Sequence, residues 1–229
     1  MDTPPGTILV WSDIGCAWAH ATVYRLHEAR RRLGLEDKVA FEHLSYPLEL
    51  FNERPTPKNI LSAEIPVIGA MAPNAGWRIW NEREWHWPVT TLPALEAVRA
   101  ARLQSAAAAE HLDRALRVAF FGHSQCISMR HVILETARDC GAVDADHLAE
   151  TLDEGRARKR VIEEWHRASA GDVKGSPHLF LPDGTDVHNP GVRMHWEGEH
   201  GTGFPVIDED CPDVIDELVR RAAGEWAAA

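Results

Sequence analysis

The sequence has no long apolar run, no excess of basic residues and no pair of cysteines in a Cys-x-x-Cys spacing. No apolar stretch approaches the roughly 20 residues that cross a bilayer, and no secretory leader is recognisable, so we expect no membrane contact and a cytoplasmic location. With 24 basic and 35 acidic residues, the net charge is −11. Nucleic-acid binding is therefore not expected, because it requires a basic face.

The missing Cys-x-x-Cys spacing argues against a zinc knuckle and against a dithiol redox pair. The four cysteines stand at positions 16, 126, 140 and 211, and in a reducing compartment we expect free thiols. The histidines and glutamates between residues 195 and 200 have no spacing that demands a metal, so no metal site is predicted.

The composition that is present, 45% apolar and 26% charged residues, is that of a globular protein. Thr7–Trp11 reads as a buried strand, and a helix with one apolar face follows from Cys16 to Gly34. Val39–Leu44 reads as a second strand. The spacing predicts a β-α-β unit with a parallel strand pair.

The middle of the chain reads as helical after an irregular segment rich in proline and tryptophan. We predict one long helix over Leu92–Phe121, a second over Met129–Cys140 and two more before Gly171. A hairpin is predicted around the turn Pro182–Thr185, followed by a loop-rich stretch over Asn189–Asp210 and a last helix from Pro212.

Cys16 is the sharpest candidate for chemistry, because it opens the first helix. Unpaired backbone N–H groups and the positive end of the helix dipole favour a thiolate there, which predicts a lowered pKa. The alternative is a small apolar residue packed at a helix start. His20, one turn later, can stabilise the thiolate if it is charged, or it can be an ordinary exposed histidine.

Two motifs and the order of elements resemble a known family. The strand-to-helix junction reads Asp13-Ile14-Gly15-Cys16-Ala17-Trp18-Ala19, and the loop before the third strand reads Val173-Lys174-Gly175-Ser176-Pro177. A looser match is Pro88–Ala94. Together they resemble the DsbA-like family, which includes FrnE-type oxidoreductases, kappa-class glutathione transferases and 2-hydroxychromene-2-carboxylate isomerases.

The resemblance implies an α/β architecture, namely a thioredoxin-like fold with a large all-helical insertion. The thioredoxin-like domain would comprise residues 1–56 and 172–229, and the helical insert residues 57–171. Cys16 would be the catalytic thiol, with Pro177 as the cis-proline beside it.

The chain departs from the family where the second cysteine of the pair is replaced by Ala19. A disulfide between residues 16 and 19 is therefore impossible, and three interpretations stay open. Cys16 acts as a single thiol in thiol–disulfide exchange, or it helps a small-thiol cofactor to act on an aromatic substrate, or the groove only binds. Among the other cysteines, Cys211 is the best candidate for a redox partner. The simpler interpretation is that Cys211 is a capping-position residue in a surface loop.

The residues expected to bind a substrate or thiol share a place near these motifs or in the tryptophan-rich segment: Asp13, Gly15, Trp18, His20, Trp77, Trp87, Thr91, Ser176, Pro177 and His178. The tryptophans can instead fill the interface between insert and sheet. No tightly bound cofactor is expected. Glutathione or another low-molecular-weight thiol, a small disulfide substrate and a homodimer are the partners that the resemblance suggests.

Overall fold

A computed structural model describes residues 1–55 and 57–225. Four strands form the main sheet: β1 (Thr7–Ser12), β2 (Ala40–Ser45), β3 (His178–Phe180) and β4 (Asp186–His188). Their order is β2-β1-β3-β4, with β1 parallel to β2 and β3 antiparallel to both of its neighbours. The predicted β-α-β unit and the later hairpin are both confirmed.

Most of the helices lie between β2 and β3 in the chain, and others flank the sheet. They are α1 (Ala17–Leu33), α2 (Leu48–Phe51), α3 (Lys58–Met71), α4 (Leu92–Ala101), α5 (Ala106–His123), α6 (Arg130–Cys140), α7 (Ala145–Asp153), α8 (Arg158–Ser169) and α9 (Asp213–Ala222). Two short 3-10 turns, Pro73–Ala75 and Glu84–His86, lie in the proline-rich segment. The α/β class with a thioredoxin-like sheet and a helical insertion is as predicted.

The two faces of the sheet are covered by different helices. On one face, Val10 of β1 packs with Leu26 of α1 and Val219 of α9, all buried. On the other, Trp11 packs in a smaller cluster with Ala168 of α8. The largest apolar cluster lies within the helices between β2 and β3 and extends to the first turn of α1, so the insert packs directly against the end of α1 that carries Cys16.

The predicted helix over Leu92–Phe121 is wrong, because it is two helices. Ser105 has an extended backbone, and its hydroxyl accepts a hydrogen bond from the backbone N–H of Ala108. A serine in this position begins a new helix, so α4 ends before it and α5 follows.

The predicted loop over Asn189–Asp210 is also wrong. Residues Val192–Glu197 form β5 and Phe204–Asp210 form β6, which pair antiparallel as a separate two-stranded sheet. Asn59 of α3 donates to the backbone carbonyl of Gly201 in the connecting turn, so this hairpin lies against the helical insert.

The remaining expectations concern boundaries and absences. The predicted domain boundary at residue 56 and the chain end from residue 226 lie outside the described residues, and the division into two domains stays a prediction. Within the described ranges, every helix is too short or too polar to cross a membrane. The same ranges contain no group of histidine, cysteine and acidic side chains placed to hold a metal ion.

Candidate active site

Cys16 lies at the junction between β1 and α1, where it takes the N-cap position of the helix. Its thiol donates a hydrogen bond to the backbone carbonyl of Ser176, with 3.1 Å between sulfur and oxygen. The side chain is 7% exposed. Ala19, the residue in place of the second cysteine, is fully buried in the next turn, so the site holds one thiol in contact with the 173–177 loop.

The expectation of a lowered pKa for Cys16 is wrong for the resting protein. Burial raises the pKa of this thiol to about 11, and the nearby carboxyl groups of Glu64 and Asp13 add to the increase. The hydrogen bond with Ser176 and the backbone at Ala19 act in the opposite direction but do not compensate. Cys16 is therefore a protonated thiol at neutral pH.

Asp13 organises the loop before Cys16. Its carboxylate is fully buried and accepts hydrogen bonds from the backbone N–H groups of Gly15 and Leu48, each at 2.8 Å, and from the hydroxyl of Thr91 at 3.0 Å. These donors come from three segments, namely the Cys16 loop, the start of α2 and the start of α4. Asp13 and Thr91, both predicted site residues, are thus brought together beside Gly15.

Glu49 of α2 accepts hydrogen bonds from backbone N–H groups at the start of α4, and nothing in the sequence indicated this role. Its carboxylate accepts from the backbone N–H groups of Thr91 at 2.9 Å and Leu92 at 3.1 Å. Thr91 holds the N-cap position by its backbone, but its hydroxyl is directed to Asp13 instead of the helix.

Arg117 of α5 binds the segment that precedes Cys16, and the sequence gave no sign of this role. It is completely buried, donates to the backbone carbonyl of Asp13 at 2.9 Å and to the hydroxyl of Ser12 at 2.8 Å, and forms an ion pair with Asp113. A buried charge needs such pairing to be tolerated. Arg117 lies about a hundred residues from Cys16 in the chain, so no local motif reveals it.

The loop that carries Ser176 and Pro177 meets Cys16 from the opposite side. The peptide bond between Ser176 and Pro177 is cis. Besides the contact between its carbonyl and the thiol, Ser176 accepts the backbone N–H of Asp13 on its hydroxyl at 2.9 Å. The loop and the β1–α1 junction are therefore fixed to each other by two hydrogen bonds through one residue.

Trp18 connects the first turn of α1 to the insert. Its indole N–H donates to Glu64 of α3 at 2.9 Å. Glu64 is 7% exposed and forms no ion pair within the described part of the chain, and burial raises its pKa to about 7. A buried carboxyl group close to a thiol is an unusual electrostatic neighbour, and the sequence gave no sign of it.

His20 does not act on the thiol in this structure. Its ring is buried, stacks on Phe121 with centroids 4.7 Å apart and meets the edge of Trp77 at 4.5 Å. Burial, with a contribution from Arg117, lowers the pKa of His20 to about 3, so the ring is neutral. Both earlier interpretations, a charged partner for Cys16 and an exposed histidine, are therefore wrong.

The two predicted tryptophans have different surroundings. Trp77 packs with His20 and donates to the backbone carbonyl of Ala72, within the aromatic core of the insert. Trp87 lines a small cavity together with Gly15, Thr91 and others, so it lies at the edge of the site. Trp87 thus shares a cavity wall with Gly15, the residue before Cys16.

His178 follows Pro177 and is buried in β3, where it hydrogen-bonds Lys174 and Asp186 and not Cys16. All four cysteines are free. Cys211 donates to the carboxylate of Glu209, which raises the pKa of its thiol.

The chain is similar to known proteins in sequence and in fold. The sequence model of the DSBA-like thioredoxin domain matches residues 7–196. Curated protein sequences gave no significant match. Among solved structures, the chain is similar to a probable DsbA oxidoreductase from Streptomyces coelicolor, with a TM-score of 0.69 at 18% identity, covering 97% of this chain and 92% of the other.

Two further structures are similar at comparable distance. The cytosolic disulfide reductase DsbM from Pseudomonas aeruginosa, solved with GSH, gives a TM-score of 0.63 at 14% identity, covering 80% of this chain and 89% of that protein. A 2-hydroxychromene-2-carboxylate isomerase gives 0.56 at 16% identity, covering 79% and 87%. At these identities the likeness concerns the fold.

Proposed function

This chain belongs to the DSBA-like thioredoxin domain family, and on that premise we propose that it is a cytoplasmic thiol–disulfide oxidoreductase that reacts through the single thiol of Cys16. One observation supports the proposal above all: the sulfur of Cys16, which lies at the start of α1, contacts the backbone carbonyl of Ser176. A ligand thiol that pairs with the Ser176 backbone would place its sulfur against Cys16.

With one thiol, the cycle needs a second thiol from solution. A disulfide R–S–S–R′ is attacked by Cys16, which forms a mixed disulfide with R and releases R′ as a thiol that carries the Cys16 proton. A small thiol then attacks the sulfur of R, forms a new disulfide with it and leaves Cys16 reduced and protonated. The disulfide reductase solved with GSH supports glutathione or a similar molecule as this thiol.

A second candidate function is favoured by the raised pKa of Cys16. A thiol that remains protonated attacks disulfides slowly and leaves mixed disulfides slowly. It can instead donate a hydrogen bond to the thiolate of a bound cofactor, which then acts on an aromatic substrate. The similarity to a 2-hydroxychromene-2-carboxylate isomerase supports this alternative.

The two functions differ in their need for the Cys16 sulfur. We would assay wild type, Cys16→Ser and the control Cys126→Ser for glutathione-dependent reduction of hydroxyethyl disulfide and for glutathione conjugation to chlorodinitrobenzene. Loss of disulfide reduction in Cys16→Ser alone supports the oxidoreductase. Conjugation that survives in Cys16→Ser supports the cofactor-binding enzyme, because serine keeps a donor. Absence of both reactions in wild type supports a redox-inactive binding protein.

The cellular setting has separate tests. A cytoplasmic location is supported by the cytosolic DsbM and by four free cysteines, and cell fractionation tests it. A homodimer remains a prediction from the family resemblance, to be tested by sedimentation velocity.

A further inference from the structure

The ring of His178 is held between a backbone donor and a carboxylate. Its Nδ1 atom receives the backbone N–H of Lys174 at 3.0 Å, and its Nε2 atom lies 2.9 Å from a carboxylate oxygen of Asp186. A backbone N–H can only donate, so Nδ1 carries no proton, and Nε2 donates to Asp186. The contacts therefore fix one neutral tautomer of a completely buried ring.

The hydrogen bond from Lys174 to His178 closes a short loop with Ser176 at its centre. The carbonyl of Ser176 is the acceptor for the Cys16 thiol. Gly175 lies so close to His188 that an added Cβ would be 2.6 Å from its ring. His178 of β3 and His188 of β4 thus both contact the loop. Of these two rings, the His178 ring forms a hydrogen bond with the loop backbone.

We propose that His178, oriented by Asp186, is a positioning residue that holds the Ser176 carbonyl against Cys16 through its neutral Nδ1 atom. This role belongs to the resting thiol, so it applies whichever reaction the site performs. Sequence reasoning treated His178 as a residue that binds substrate, whereas its ring is fully occupied by Lys174 and Asp186.

Protonation abolishes the contact, because a charged imidazole has a hydrogen on both nitrogens and can no longer accept from Lys174. Three titratable or charged groups face the ring: Asp186 and His188 of β4, and the Lys174 side chain, whose ammonium lies 3.5 Å from Asp186. Burial lowers the pKa of His178 below 6.5, Lys174 lowers it further, and Asp186 raises it. Acid should therefore release the loop.

Two substitutions separate the ring's contacts. In His178→Asn, the amide oxygen takes the place of Nδ1, so it can accept from Lys174 but cannot titrate. In His178→Gln, the amide takes the place of Nε2 and leaves Lys174 without an acceptor. The matched control is His195→Asn in β5, since His195 also pairs with an aspartate, Asp208 at 2.9 Å, but is exposed.

The measurement is the rate at which Cys16 reacts with 4,4′-dithiodipyridine, resolved by mass spectrometry of its peptide because three other thiols are present. Cys16 displaces one thiopyridone, which takes the thiol proton, and keeps the other half as a mixed disulfide. At pH 8 we expect His178→Asn and His195→Asn within about twofold of wild type. His178→Gln should react about fivefold faster, since loss of one hydrogen bond makes opening of the loop easier.

The pH dependence of the Cys16 reaction rate distinguishes a positioning role of His178 from a purely structural one. The ratio of the wild-type rate to the His178→Asn rate cancels the ionisation of Cys16 itself. We expect this ratio to rise from about one to about fivefold as the pH falls below 6.5. In Asp186→Asn the rise should move to lower pH, because removal of the carboxylate lowers the pKa of His178.

Equal rates for His178→Gln and His178→Asn at pH 8 would overturn the proposal, and so would a ratio that stays flat over the whole acid range in which both proteins remain folded. Circular dichroism checks that each variant is folded. If neither His178 variant folds, the pH dependence of Asp186→Asn against wild type decides, because an unshifted acid response rejects the role of the pair.

Discussion

Two opposing electrostatic effects act on the Cys16 sulfur. The N-terminus of α1 favours the thiolate by about 2 kcal/mol at most. Burial of a charge in a site that is 7% exposed costs several kcal/mol, and the carboxyl groups of Glu64 and Asp13 increase this cost. Burial is therefore the larger effect, which explains why a cysteine at a helix start has a raised pKa of about 11.

Replacement of Glu64 by glutamine should lower the pKa of Cys16. The glutamine keeps an acceptor for the Trp18 indole but removes a negative charge that is fully developed near pH 11, where the thiol titrates. The measurement is ultraviolet absorbance of the thiolate during a pH titration, with Cys16→Ser as the blank. Glu163→Gln, an exposed glutamate that pairs with Lys159, should leave the midpoint unchanged. A midpoint that stays or rises in Glu64→Gln contradicts this account.

Ala19→Cys should create an intramolecular disulfide with Cys16. Residue 19 is buried and lies one helical turn after Cys16 in the chain. The backbone at Ala19 already interacts with the Cys16 thiol. We expect a second thiol there to be oxidised reversibly and insulin reduction to appear, with the disulfide detected by mass spectrometry after alkylation. Ala21→Cys, also buried in α1, is the matched control. If both variants keep only free thiols, residue 19 is not placed to pair with Cys16.

At the scale of elements, Asp13 joins β1 to the starts of α2 and α4. Asp13→Ala removes the acceptor for Gly15, Leu48 and Thr91 and leaves buried donors unpaired. We expect a loss of about 3 kcal/mol in the free energy of unfolding, measured with urea, because each unpaired buried group costs about 1–3 kcal/mol. Asp139→Ala, an exposed aspartate on α6, should change stability by less than about 0.5 kcal/mol. A similarly small effect of Asp13→Ala would show that water replaces the carboxylate.

Sequence patterns predicted the elements whose own residues determine them. The β1–α1–β2 unit follows from apolar periodicity and from Gly34, which ends α1 in a left-handed conformation. The β5–β6 hairpin was missed although Val192, Met194 and Trp196 alternate with polar residues. The many glycines and acidic residues nearby read as a loop, and both strands are largely exposed, so burial does not reinforce the pattern.

The site was predictable only where it is local. Cys16, Asp13 and the Ser176–Pro177 loop could be found because short motifs contain them. Glu64 and Arg117 could not, since each acts on the Cys16 junction from a helix of the insert, and no spacing in the sequence links them to it. The pKa of Cys16 was mispredicted because depth of burial is a tertiary property.

For the whole molecule, buried neutral histidines should make the fold sensitive to acid. Burial lowers the pKa of His20 and of His27 to about 3, and that of His43 is also lowered. Between pH 6.5 and 3 the unfolded chain binds protons that the folded chain does not, so stability falls as the pH falls. Each of the first two histidines contributes a loss of as much as about 2 kcal/mol between pH 7 and 5.

His20→Gln should reduce this pH dependence, whatever it does to stability at pH 7. The measurement is the free energy of unfolding in urea at pH 7 and pH 5, compared as a difference between wild type and variant. The exposed His111 supplies the control, since His111→Gln removes a histidine that lies at the surface. If both variants keep the wild-type slope, the pKa of His20 is the same in the folded and the unfolded protein, which contradicts this account.

The strand order also has a consequence for synthesis on the ribosome. β1 is an inner strand, and its second neighbour, β3, begins only at His178. At a translation rate of about 5–20 residues per second, β1 therefore waits on the order of ten to thirty seconds for that partner. During this interval one edge of β1 has no strand to pair with. The nascent chain thus exposes to ribosome-associated chaperones an apolar strand that the finished protein buries except at Thr7.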